Sequence, residues 1–165
     1  MKTYLNKYLK GPDHRELISN FDFYKYFGST LPIIRATDIQ KYSIDIFNNK
    51  FKSIIILIEN SEGNHWVLMS KVNKSIEFFD SYGCDYSFYF DKRLDILGNL
   101  KVVSNKIRYQ EMSAEINTCG KHVSFRLMAL IEYKMGLRKY QKFMKYLKDY
   151  YKGSYDDIVS IFVSL

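Results

Sequence analysis

The spacing of apolar and polar positions divides this chain into a central run of strands with helices before and after it. Phe51 to Glu59 contains the β-branched run IIILI, suited to a strand buried on both faces. Ser61-Glu62-Gly63-Asn64 supplies turn chemistry, and His65 to Val72 follows as a second strand. Asn73-Lys74 forms a tight connection into a third strand, Ser75 to Asp80, which ends at Ser81-Tyr82-Gly83. Phe88 to Leu97 has helical spacing at Leu94 and Leu97, and Leu100 to Tyr109 reads as a fourth strand.

The flanks are helical. Pro12 sits in the first turn of a helix start running to Ile18, and Phe21 to Ile34 reads as an irregular aromatic segment packed on the core. Thr37-Asp38-Ile39-Gln40 has the form of a capping box opening a short helix through about Phe47. Beyond the strands, Val123, Phe125, Leu127, Met128, Leu130 and Ile131 give a buried helix that starts at Cys119 and stops at Gly136. A last helix puts Tyr140, Phe143, Met144, Leu147 and Tyr151 on one face and lysines on the others. The tail from Ile158 to Leu165 is expected as a short strand or a packed end. The pattern is α+β, a central and mostly antiparallel sheet flanked by helices, in a single domain over residues 1–165.

Composition narrows the class. At 47% hydrophobic and 17% aromatic, the sequence is that of a globular chain. Apolar runs such as Ile54 to Ile58 are far too short to cross a bilayer, so no membrane partner is expected. The first residues, MKTYLNKYLKGPDHRE, carry charge but no apolar secretion core. Cys84 and Cys119 make no disulfide framework, which suits a reducing compartment. The net charge of +7 is concentrated near the C-terminus, where Arg138 to Lys152 holds six Lys or Arg against one acid. Such a face either contacts nucleic acid or is plain solvated surface.

Three residues fall where loops present side chains to a cleft. His65 opens the second strand, Asp80 closes the third, and Cys119 begins a helix. A hairpin through Asn73-Lys74 makes His65 and Asp80 neighbours. An Asp fixing the imidazole tautomer leaves the other ring nitrogen to take a proton from a thiol. At a helix N-terminus the free N–H groups and the helix dipole favour a thiolate. The set has the make-up of nucleophile, base and orienter. The plainer alternatives are a small buried cysteine, a loop histidine and an ordinary Asp-Ser-Tyr-Gly turn. Cys119-x-x-His122 has no second Cys/His pair with which to bind zinc, so His122 reads as structural, packed behind the site.

The order His65-Trp66, then Asp80-Ser81-Tyr82-Gly83, then Gln110, then Cys119-Gly120 at a helix start resembles the adenovirus-type cysteine proteases, a clan that includes the enzymes processing ubiquitin-like modifiers. The resemblance covers about residues 51 to 135. In size and style the chain looks most similar to maturation proteases of virophages and related double-stranded DNA elements. It implies the adenain-type fold, with Cys119 as nucleophile, His65 as base and acid and Asp80 as third member. Trp66 packs near the site. Gln110 matches the oxyanion-hole glutamine, although it lies further ahead of the cysteine than is usual, and Asn117 is a polar substitute. The implied activity is a cysteine endopeptidase cleaving viral capsid or core precursor proteins, located in the virion and the viral factory of the host cytoplasm. No cofactor is needed for the chemistry. An activating peptide, with Cys84 as its tether, or DNA held by the basic C-terminal helix is implied by the same likeness. The alternatives are a protease of ubiquitin-like modifiers and an inactive nucleic-acid or assembly-binding module.

Overall fold

The structure is a computed structural model that describes residues 17–61 and 63–163. Five strands form one mixed sheet in chain order: β1 (Ile33–Arg35), β2 (Ser53–Asn60), β3 (Gly63–Val72), β4 (Ser75–Phe79) and β5 (Lys101–Ser104). The long central ladders, β2 with β3 and β3 with β4, are antiparallel. The short edge strands β1 and β5 join in parallel. The IIILI run behaves as its composition demands: Ile54, Ile56 and Ile58 point to one face and Ile55 and Leu57 to the other, and both faces are covered.

One face packs on helices α1 (Asn20–Phe27), α3 (Cys119–Tyr133), α4 (Leu137–Tyr151) and α5 (Tyr155–Phe162). Phe23, Trp66, Leu68, Phe79, Val123, Leu127, Tyr140, Met144 and Ile158 make that core. The other face lies under 3-10 turns and the short α2 (Tyr86–Tyr89), with Ile39, Phe47, Phe78, Phe90 and Leu97 between them. Glu77 of β4 ties the sheet to the helices. Its carboxylate accepts from buried Arg126 of α3 at 2.6 Å and from the Leu137 N–H at 3.0 Å.

The hairpin expected at Asn73-Lys74 forms, with Val72 opposite Ser75 and Asn73 left-handed at φ 53°. Several flanking elements differ from the sequence reading. Residues 12–16 of the N-terminal helix start lie outside the described residues, and Leu17 and Ile18 are irregular. The aromatic segment is not irregular throughout: Ser19 and Asp22 form a reciprocal capping box that opens α1 and turns Phe23 into the core. The helix expected from Thr37 is instead two 3-10 segments, Ala36–Lys41 and Ile44–Phe47, the second capped by Ser43. Only four residues of the Leu100–Tyr109 stretch pair as a strand, because the Asn105 side chain takes over the backbone bonding there. α3 ends at left-handed Lys134, two residues before Gly136, which instead precedes α4. The tail forms a helix, since Ser154 and Asp157 make a second capping box.

Candidate active site

The hairpin carries the first two members of the site. Continued past Phe79, the β3–β4 register brings Tyr82 across from His65, and their rings stack with centroids 4.7 Å apart. Asp80 stands diagonally from His65, with Oδ1 2.6 Å from Nε2. The Tyr89 ring lies 6.1 Å from the His65 ring in a second stacked arrangement. His65 and Asp80 are both buried.

A buried carboxylate needs donors on every side, and Asp80 has them. Oδ1 also accepts the Tyr82 N–H at 3.0 Å, and Oδ2 accepts the Cys84 N–H at 2.9 Å and the Tyr89 hydroxyl at 3.1 Å. The backbone of Asp80 is held on both sides by one side chain. Its N–H donates to Asn105 Oδ1 at 2.8 Å, and its C=O accepts from Asn105 Nδ2 at 2.7 Å. Gly83 makes the turn possible: φ is +75°, and a Cβ there would stand 2.9 Å from the Ile107 carbonyl carbon. Burial works against the charge of Asp80, yet the His65 ring and the backbone donors hold its pKa below the usual 3.8.

With Nε2 committed to Asp80, Nδ1 is the ring nitrogen left for Cys119, the first residue of α3. Burial disfavours the charged ring. The hydrogen bonds to Asp80 and to the Cys119 thiol, with the negative charge of both, outweigh it and push the His65 pKa up to about 9. The raised His65 pKa thus belongs to a ring that faces Cys119 at the N-terminal end of a fifteen-residue helix. The structure thus brings Cys119, His65 and Asp80 together.

Gln110 lies beside them, buried, in the loop between β5 and α3. Its backbone N–H and that of Tyr109 both donate to the Ser81 carbonyl. Its side-chain Oε1 accepts from Ser81 Oγ at 2.8 Å, and Nε2 donates to the Tyr82 hydroxyl at 3.2 Å and the Ile116 carbonyl at 3.1 Å. Both amide protons are thus taken. Asn117 instead lines an open groove of about 460 Å³ together with Cys119, Trp66, Leu57, Ile18 and Phe21. Trp66 is fixed there by donating from Nε1 to the Ile18 carbonyl at 2.9 Å and by an edge contact with Phe23. Cys84 is half-buried, and burial and the Asp80 charge push its thiol pKa up.

The sequence reading did not single out Tyr82, Tyr89 and Asn105, which wall and hold the His65–Asp80 pair, nor Asp156. Asp156 enters from the first turn of α5 and accepts from Thr118 Oγ1, from the Glu111 N–H at 2.9 Å and from His122 Nε2 at 3.0 Å. A Ser154-x-x-Asp157 capping signal was legible, but it marks a helix and not what Asp156 touches. His122 is fully buried behind Cys119, and burial lowers its pKa, so the ring is neutral. Among the described residues no three His, Cys, Asp or Glu side chains cluster so as to hold a metal ion, and no helix is long and apolar enough to cross a membrane.

No family model matches the sequence. A relative, "Uncharacterized protein V9" of Sputnik virophage, is 25% identical over 164 residues, covering 87% of this chain and 92% of its own length. Among solved structures, the ASFV pS273R protease aligns with a TM-score of 0.47 and 13% identity over 80% of this chain and 69% of its own.

Proposed function

We propose that this protein is a cysteine endopeptidase in which Cys119 is the nucleophile, His65 the base and acid, and Asp80 the residue that orients and charges the ring. The observation that carries the reading is the single line of contacts from Asp80 through Nε2 of His65 to the thiol at the start of α3. A structural role explains a buried Asp–His pair or a buried cysteine, but not a ring held by a buried carboxylate on one nitrogen and bonded to a groove-lining cysteine by the other.

The chemistry follows from the geometry. The sulfur attacks a peptide carbonyl lying in the groove beside Trp66. His65 gives its proton to the leaving amine, and the thioester is hydrolysed by a water from which His65 takes a proton. The Cys119 N–H at the helix start and one side-chain amide stabilise the oxyanion. Gln110 fills that role by releasing the Ile116 carbonyl or the Tyr82 hydroxyl, and Asn117 is the alternative donor.

The motif order and the virophage relative support a viral setting. The fold is of the adenain type, and the substrates are viral capsid or core precursors cut during maturation, in the virion and the viral factory of the host cytoplasm. The exposed lysines of α4 support a non-specific DNA contact, and a peptide or DNA is the activating partner.

The test is alkylation by iodoacetamide at about pH 6, mapped by mass spectrometry. Cys119 is expected to label faster than Cys84, whose thiol is held protonated, and to lose that advantage in His65→Ala. Equal, slow labelling of both cysteines, with DNA present as well as absent, overturns the proposal.

A further inference from the structure

The Asp156 carboxylate is almost wholly buried and gathers donors from two segments that flank the proposed reacting groups. Thr118 immediately precedes Cys119, and Glu111 immediately follows Gln110. The Thr118 hydroxyl donates to Oδ1 and the Glu111 N–H donates to Oδ2, so the two arms of one carboxylate each hold one segment. His122, one turn into α3, adds a third bond to Oδ1. Asp156 itself is rigidly presented, because the Ser154–Asp157 capping box fixes the start of α5 and the helix N-terminus favours its charge.

Thr118 provides a second observation. It occupies the N-cap position of α3, where a threonine hydroxyl ordinarily accepts from the first turn of its own helix. Here it makes no such bond and donates to Asp156 instead. Joining α5 to α3 by packing alone needs no buried charge, and desolvating a carboxylate opposes folding. What the charge adds is a fixed distance between the loop of Gln110 and the start of the Cys119 helix.

We infer that Asp156 is a positioning residue for acyl transfer, setting the oxyanion donors of the Gln110 loop in register with the Cys119 sulfur and N–H. This rests on the thiol-protease reading above. Asp156 touches neither the His65 ring nor the thiol in any hydrogen bond of the structure. Its effect therefore falls on reactions that develop an oxyanion, and not on simple displacement at sulfur.

The experiment uses the full chain carrying Asp156→Asn, with Thr118→Val and Thr118→Ser beside it. Two reactions are compared: Cys119-dependent hydrolysis of p-nitrophenyl acetate, which passes through an oxyanion, and alkylation by iodoacetamide, which does not. Asp156→Asn is expected to lower kcat for the ester by ~10-fold or more, with KM and the alkylation rate held within about threefold. Thr118→Val follows it and Thr118→Ser, which keeps the hydroxyl, stays near wild type. Should Asp156→Asn fail to fold, Thr118→Val carries the comparison. Ester turnover at the wild-type rate, or losses of ester turnover and alkylation that run in parallel, overturns the inference. Amide exchange separates this from failure of the protease reading. If the wild type itself does not turn over the ester, with DNA present as well as absent, that reading falls. The tie is then judged by the Glu111 and Cys119 amides, which exchange faster in Asp156→Asn if it holds and unchanged if it does not.

Discussion

The His65 ring meets Asp80 at 2.6 Å along a diagonal of the β3–β4 hairpin, while Tyr82 occupies the position directly across from it and stacks on its face. The hairpin thus supplies both the charge that orients the ring and the wall that keeps it in plane. Asp80→Asn keeps the outline and removes the charge. The His65 pKa is expected to fall from about 9, read from the imidazole proton shifts. Ester turnover should drop by roughly 10²–10⁴-fold. A ring that still titrates near 9 in the variant removes Asp80 from this role.

The same substitution sets a sign for acid stability. The folded pKa of Asp80 lies below its ordinary 3.8, so the folded chain binds this proton less readily than the unfolded chain. The stability it contributes is fully present above about pH 4 and is lost as pH falls through the folded value. Urea unfolding of wild type and Asp80→Asn should show a gap near pH 5 that closes below about pH 4 and also narrows as pH rises above about 6.5, where the stability tied to the raised His65 pKa begins to be lost. A gap that widens in acid contradicts the ionised Asp80.

Cys119 is one of the groups holding the ring charged. Cys119→Ala is expected to lower the His65 midpoint from about 9, while the His122 pKa stays below its ordinary value because burial still opposes its charge. Histidine proton shifts in the folded variant test this. An unmoved midpoint means that the thiol and the ring do not interact.

Gln110→Ala has two separable consequences. Ser81 Oγ loses its buried acceptor, which costs about 1–3 kcal/mol of stability. If Gln110 is the oxyanion donor, ester turnover also falls by about 10²–10³-fold while alkylation of Cys119 persists. Asn117→Ala is the counterpart: a comparable kinetic loss there, with Gln110→Ala affecting stability alone, assigns the donor to Asn117.

Glu77→Ala leaves the guanidinium of Arg126 buried without its carboxylate and takes the acceptor from the Leu137 N–H. The expected loss is about 3–5 kcal/mol in chemical denaturation. Because the pair lies away from Cys119, the folded fraction should retain the wild-type alkylation rate. A loss below ~1 kcal/mol would mean that Arg126 reaches water.

The DNA contact proposed for α4 predicts an affinity for duplex DNA that falls with salt. Lys139→Glu/Lys142→Glu should reduce the slope of log K against log salt by about two. An unchanged slope excludes this face.

The strand run, the Asn73-Lys74 hairpin and the helix opening at Cys119 were legible because they rest on short-range physics. Alternation with period two, one left-handed turn residue and apolar spacing near 3.6 each act within a few positions. The register of the same hairpin is enough to make His65 and Asp80 neighbours. Other signals of the same short range went unread: the boxes Ser19–Asp22 and Ser154–Asp157 open helices into the aromatic segment expected to be irregular and the tail expected to be a short strand or packed end.

What tertiary structure alone decided are the contacts between residues far apart in the chain. Asn105 grips the backbone of Asp80 from 25 residues away. Asp156 reaches Thr118 across 38 and Glu111 across 45. Glu77 meets Arg126 across 49. No periodicity encodes such partners, because a buried polar group is satisfied by whichever donor packing brings within reach, and that is fixed only when the sheet and helices close on one another. The sequence by itself therefore determined which side chains stand at the candidate site, and the assembled fold decided what holds them still.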